Sequence, residues 1–212
     1  MSTIRLAAFT IFDTPVLKTL LRLASVLYLK ALGWKLSGDP PAAGKYVMIA
    51  APHTSNWDLP MMLAVVFAFR VKVYFLAKNS LFTPPLGFFL RWLGGIPVNR
   101  SKAGNLVEQA IELFSVYDDL VLVVPPEGTR QRVRYWKSGF YHIASGAKVP
   151  IALGFIDFKR KLAGFGGTHV PNGDFAADLV KIQAFYAGIT GKNPAMTSEI
   201  IDPPASAPSN HA

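Results

Sequence analysis

Tyr46-Val47-Met48-Ile49-Ala50, running into Ala51-Pro52-His53-Thr54-Ser55-Asn56-Trp57-Asp58, is the stretch on which the reading of the fold turns. The first five residues are an uninterrupted apolar run and read as a short buried strand. Leu59 to Phe69 is again apolar and has the length of a helix. The segment between is therefore a strand-to-helix turn, and it carries a histidine five positions ahead of an aspartate. Within one continuous helix that spacing sets two side chains about 140° apart, so His53 is placed before the helix begins. Pro60 agrees, because proline is tolerated only in the first turn, where backbone N–H groups lack partners. The helix is expected to start near Ser55, Asn56 or Asp58, all good N-cap residues. Asp58 can then fold back toward His53. A carboxylate on one ring nitrogen fixes the tautomer and leaves the other nitrogen as a general base. A helix cap with a satisfied hydrogen bond is the other reading of the same pair.

Downstream, Val121-Leu122-Val123-Val124 reads as a buried parallel strand. Pro125-Pro126 ends it, which puts Glu127-Gly128-Thr129-Arg130 at its C-terminal end, where open α/β sheets place ligands. Arg130, Arg132, Arg134 and Lys137 follow within eight residues. Guanidinium groups bind phosphate through two parallel hydrogen bonds, so the cluster suits a phosphorylated substrate. Arg100 closes a second short apolar strand, Ile96-Pro97-Val98, and two arginines from two strand ends suit one phosphate. A solvated basic loop is the plainer alternative. Gly128 serves either a turn with φ > 0 or a close approach of backbone to substrate. Glu127 either accepts hydrogen bonds from a hydroxyl substrate or pairs with a nearby arginine.

Four segments now stand in order: His53 to Asp58, Gly94-Gly95-Ile96-Pro97-Val98-Asn99-Arg100, Pro126-Glu127-Gly128-Thr129-Arg130 with Lys137-Ser138-Gly139 behind it, and Val149-Pro150-Ile151-Ala152-Leu153. Their order and spacing resemble the glycerolipid acyltransferases of the 1-acylglycerol-3-phosphate O-acyltransferase type, over roughly residues 45 to 157. The chain departs from that pattern at the fourth segment, where a second proline is common and Leu153-Gly154-Phe155 stands instead. The resemblance implies His53 and Asp58 as catalytic residues, with Arg100, Glu127, Gly128, Thr129, Arg130 and Lys137 binding substrate. It favours acceptor binding for Glu127. It implies no cofactor: an acyl thioester, acyl-CoA or acyl carrier protein, is the donor substrate. The implied acceptor is a lysophospholipid, 1-acyl-glycerol-3-phosphate giving phosphatidate. The altered fourth segment keeps another lyso-lipid, such as a lyso-aminolipid, open. A hydrolase using Ser55 or Ser138 would lack the Gly-x-Ser-x-Gly elbow. A non-catalytic membrane-binding module would rest on charge and an amphipathic start alone.

The chain has 212 residues, 51% of them hydrophobic, which sets disorder aside for most of its length. There is no cysteine, so disulfides, thiolate metal sites and a cysteine nucleophile are excluded. The four histidines show no ligand spacing, and no metal is expected. His142 reads as a core or boundary residue; His169 and His211 receive no role. A net charge of +9 points to an anionic partner surface. Nucleic acid lacks a motif to carry it, and an anionic membrane surface fits better. No uncharged run exceeds 12 residues, too short for a spanning helix of about 20. No cleavable signal is evident, and the expected location is the cytoplasmic face of the cell membrane. Pro15 to Leu36 reads as a helix with Lys18, Arg22 and Ser25 in one stripe, and Leu17, Leu20, Leu21, Leu23, Leu27 and Leu32 over most of the rest. Such a helix lies in the headgroup region of an anionic bilayer; an ordinary helix packed on the domain is the other reading. The apolar segment Phe82 to Phe89 and basic Lys159-Arg160-Lys161 fit the same docking surface.

Strands and helices alternate from residue 46 to 158. The expected fold is α/β: a layered domain with a central, largely parallel or mixed sheet flanked by helices, preceded by the basic amphipathic helix. Gly164 to Gly173 reads as a turn or hairpin, and Asp174 as the N-cap of a last helix ending near Ile189. The organisation expected is an N-terminal membrane-surface segment over 1–36, an acyltransferase domain over 37–192, and a flexible tail over 193–212.

Overall fold

A seven-stranded sheet in the order β1-β7-β6-β2-β5-β3-β4 carries the fold. The strands are β1 (Lys35–Ser37), β2 (Lys45–Ala51), β3 (Tyr74–Lys78), β4 (Gly95–Val98), β5 (Leu120–Val124), β6 (Ile151–Asp157) and β7 (Leu162–His169). Between and around them run α1 (Pro15–Ala31), α2 (Asp58–Phe69), α3 (Leu86–Trp92), α4 (Ala103–Val116), α5 (Gly139–Ala147) and α6 (Phe175–Tyr186). This computed structural model describes residues 5–98 and 103–198. Every neighbouring pair of strands is parallel except β6 and β7. The expected α/β sheet flanked by helices is what forms.

The central strands β2 and β5 are apolar almost throughout because the sheet is covered there on both faces. In β2, Val47, Ile49 and Ala51 join the core beneath α4, α5 and α6, while Tyr46 and Met48 point the other way, toward Val66 of α2. In β5, Leu120 and Leu122 face the first side, Val121 and Val123 the second. From β2 the chain passes through α2 to β3 on one side; from β5 it passes through α5 to β6 on the other. The C-terminal ends of β2 and β5 therefore lie where the winding reverses, a topological switch point that leaves a crevice.

Two elements differ from expectation. The stretch from Gly164 continues β7 through His169 as a strand antiparallel to β6, with the turn earlier, at Phe158 to Lys161. Its glycines answer to crowding: a Cβ on Gly164 would lie 2.0 Å from the Ser37 carbonyl oxygen of β1, and one on Gly166 would strike the Phe185 ring of α6. The N-terminal helix ends at Ala31, and Lys35 to Ser37 then forms the edge strand β1.

The orientation of α1 decides what it shows to its surroundings. Leu29 is buried against Met61, Ala64 and Val65 of α2, and Leu17 and Leu21 pack near Phe67. Arg22 and Ser25, read as part of a polar stripe, are half-buried on this inner side. Leu20, Leu23 and Leu27 are left outside, 57%, 54% and 66% exposed. Among the described residues no helix is long and apolar enough to cross a membrane. Of the C-terminal twenty residues, 193–198 hold the short 3-10 turn Pro194–Met196 and 199–212 lie outside the described residues.

Candidate active site

His53 sits between β2 and α2, and α2 begins at Asp58 with Pro60 in its first turn as expected, although the N-cap position falls on Trp57 and not on Ser55, Asn56 or Asp58. His53 Nδ1 is 3.0 Å from Asp58 Oδ2. The same oxygen accepts the peptide N–H of Thr54 at 2.7 Å and of Ser55 at 2.9 Å. Three donors on one carboxylate oxygen compensate the burial of Asp58 and hold the ring plane. With Nδ1 donating to the carboxylate, Nε2 is the ring's proton acceptor.

The neighbouring strand supplies the second wall. β5 runs beside β2 in the register Ile49↔Val124, so the turn after it arrives next to His53. Glu127 is buried, and its Oε1 accepts the peptide N–H of His53 at 3.2 Å. Burial raises the Glu127 carboxyl above its ordinary range, against the lowering effect of its own backbone N–H and that of His53. Gly128 follows at φ +65°, a left-handed conformation that glycine adopts without strain. A Cβ there would come within 3.0 Å of the Lys137 side chain. Lys137 in turn donates its peptide N–H to the Pro126 carbonyl at 2.8 Å, which folds the loop onto Gly128.

A cavity of about 560 Å³ opens at this point. His53, Asp58, Asn56, Gly128, Thr129 and Arg130 line its polar part, and Met48, Met62, Val65, Val66, Phe75 and Phe165 are among the apolar side chains of its depth. The guanidinium of Arg130 donates to the Asn56 carboxamide oxygen, bridging the turns after β2 and β5. Of the residues expected from sequence, His53, Asp58, Gly128, Thr129 and Arg130 thus meet in one cavity wall. Glu127 lies behind that wall, bonded to His53, and Lys137 flanks Gly128 outside the lining. Arg132 and Arg134 are exposed and do not line the cavity, and Arg134 lies over the Tyr135 ring. Arg100 lies outside the described residues.

Lys78 escaped the sequence reading: it ends β3 and lines the cavity, giving the lining a second cation in addition to Arg130. Its position at the C-terminal end of a parallel strand was the available signal. Gly154 and Phe155, where the fourth segment departs from the expected pattern, line the cavity as well. His142 is exposed on α5 rather than in the core. Nε2 of His169 lies 2.9 Å from Oδ1 of buried Asp178, away from this cavity. Among the described residues no group of three or more His, Asp or Glu side chains is arranged to hold a metal ion.

A family model described as Acyltransferase matches residues 35–152, more than half of the chain. The chain belongs to the acyltransferase family. The matched span begins at β1 and ends within β6, so the family's region contains the His53 turn, the Glu127 turn and every strand between them. Among solved structures, this acyltransferase is similar to the crystal structure of the 1-acyl-sn-glycerophosphate (LPA) acyltransferase PlsC from Thermotoga maritima. The TM-score is 0.55 at 19% identity, over 82% of this chain and 76% of that one. A likeness at that identity is one of fold. No curated protein matches the chain.

Proposed function

We propose that this acyltransferase moves a fatty acyl group from an acyl thioester, acyl-CoA or acyl carrier protein, to the hydroxyl of a lysophospholipid, with 1-acyl-glycerol-3-phosphate as acceptor and phosphatidate as product. The observation that carries this reading is one cavity with two characters. Its lining is apolar enough for an acyl chain, and the same lining holds an oriented imidazole, Arg130 and Lys78. Two cations suit an acceptor phosphate.

In the proposed reaction His53 Nε2 takes the hydroxyl proton as the acceptor oxygen attacks the thioester carbonyl. Asp58 holds the ring and stabilises the imidazolium that forms. The tetrahedral intermediate collapses with cleavage of the C–S bond, and the imidazolium returns its proton to the departing thiolate. No acyl-enzyme is formed. Positioning of the two substrates and general-base catalysis act together.

The outward leucines of α1, with exposed Phe88 and Phe89 of α3, support docking on a lipid surface. Apolar side chains of a helix gain by entering the headgroup boundary, and the chain's net charge of +9 favours anionic lipid. The proposed location is the cytoplasmic face of the membrane. Gly154 and Phe155, where the fourth segment departs from the expected pattern, line the cavity, so a lyso-aminolipid is the second acceptor to test beside lysophosphatidate.

Purified protein in mixed micelles, offered a panel of acyl thioesters and lysolipids with thiol release followed, tests the proposal. Release that depends on a lysophospholipid is the expected result. Release without acceptor would make the protein a thioester hydrolase, and no release with any pair would overturn the substrate assignment.

A further inference from the structure

Beyond α6 the chain returns to the active-site turn. The peptide N–H of Asn193 donates to Thr54 Oγ1 at 3.1 Å, and its side-chain amide donates to the Thr54 carbonyl at 3.0 Å. Thr54 is only 3% exposed. Gly191 presses on the same side chain, where a Cβ would sit 2.5 Å from Thr54 Cγ2. Further along, the Ser198 hydroxyl accepts the peptide N–H of Val133, in the loop that follows Arg130. One segment, Thr190 to Ser198, is therefore bonded both to the turn after β2 and to the loop after β5.

The bond to the Thr54 carbonyl has a direct consequence for the dyad. That carbonyl and the Ser55 N–H are the two ends of a single planar peptide unit. Asn193 grips one end; the other donates to Asp58 Oδ2. Rotating the unit to release Asn193 swings the Ser55 N–H away from the carboxylate that orients His53. Asp58 Oδ2 then keeps only the Thr54 N–H and His53 Nδ1.

We infer that Asn193 is a positioning residue for the acyl-transfer reaction, acting through the Thr54–Ser55 peptide on the Asp58–His53 pair. It touches no substrate. The inference rests on the proposed role of His53, and the test separates the two.

Asn193→Ala removes the side-chain donor and leaves the backbone bond; Thr54→Val removes the backbone bond's acceptor, and Thr54→Ser restores it. The expected result for Asn193→Ala is a fall in kcat of about tenfold, below the roughly 10²-fold that a 1 Å misplacement can cost. KM for the thioester stays within about twofold, because the substrate-lining residues are untouched. Thr54→Val loses activity similarly and Thr54→Ser does not. In the full chain, amide exchange at Thr54 and Ser55 accelerates in Asn193→Ala while the sheet keeps its protection. A kcat within twofold of the parent overturns the inference, as does acceleration spread over the whole domain with a lowered Tm. Should His53→Ala keep full activity, the role of His53 fails by itself. The exchange measurement still decides whether Asn193 orders the turn, and unchanged protection at Thr54 and Ser55 overturns the inference.

Discussion

The peptide N–H of His53 donates to the carboxylate of Glu127 across 74 residues of sequence, at 3.2 Å. The bond ties the two turns that build the cavity wall, and it gives the buried carboxylate a partner inside the protein. It also makes Glu127 a support of the histidine's backbone in this structure.

Glu127 yields a prediction in pH. Burial raises its carboxyl, and the His53 and Glu127 backbone donors oppose this only in part. An acid raised on folding binds its proton more tightly in the folded state, so its contribution to stability falls as pH climbs from the ordinary carboxyl range through the folded value. Glu127→Gln removes the charge and keeps an acceptor for the His53 N–H. Denaturation of the variant is expected to be less pH-dependent, and it should gain on the parent as pH rises above the ordinary carboxyl range. Glu127→Ala leaves the N–H without this partner and should cost about 1–3 kcal/mol. Parallel pH profiles for Gln variant and parent would contradict the buried charge.

The dyad makes the strongest kinetic prediction. His53→Ala should lower kcat by about 10²–10⁴, the span usually supplied by a positioned base. Asp58→Ala removes the acceptor of three hydrogen bonds at once and should lower both activity and Tm. A folded His53→Ala protein within threefold of the parent (~0.6 kcal/mol) would remove the base assignment.

The apolar depth of the cavity predicts chain-length selection. Met62 lines it from α2 and is half-buried, so Met62→Trp fills volume at a cost of about 1–3 kcal/mol in packing. The expected outcome is a shift toward shorter acyl thioesters in competition assays. An unaltered profile in a folded variant would place the acyl chain elsewhere.

The face of α1 predicts vesicle binding. Leu20, Leu23 and Leu27 project outward, and replacing all three with Ser removes apolar area from a surface that contributes little to the core. Co-sedimentation with vesicles containing anionic lipid should fall by about tenfold or more, since each leucine gains on the order of 1 kcal/mol on burial. Tm should hardly move. Retained binding would assign the lipid contact to another surface.

Parts of this architecture were legible because their causes are local. Runs such as Tyr46 to Ala50 and Leu120 to Val124 follow from strands buried on both faces. The His53–Asp58 pair follows from five residues and a proline that sets the helix start. The Asp174 cap is equally local, its side chain accepting the Ala177 N–H. What escaped depends on distant neighbours. The glycines of β7 read as a turn because the reason for them, Phe185 and Ser37, lies in other elements. Lys78 carries no pattern of its own and matters only because β3 ends at the cavity.

Sequence alone determined the layered α/β class, the order along the chain of the five strands between Lys45 and Asp157, and a histidine–aspartate turn followed by a glycine-containing basic one. Those are set by periodicity and by backbone preferences acting within a few residues. Tertiary structure alone decided that Glu127 bonds the His53 backbone, that Asn193 clasps Thr54, and which side of α1 faces outward. Such facts depend on which strands become neighbours and on how a helix rolls onto its sheet, and a linear pattern holds neither until the chain has closed.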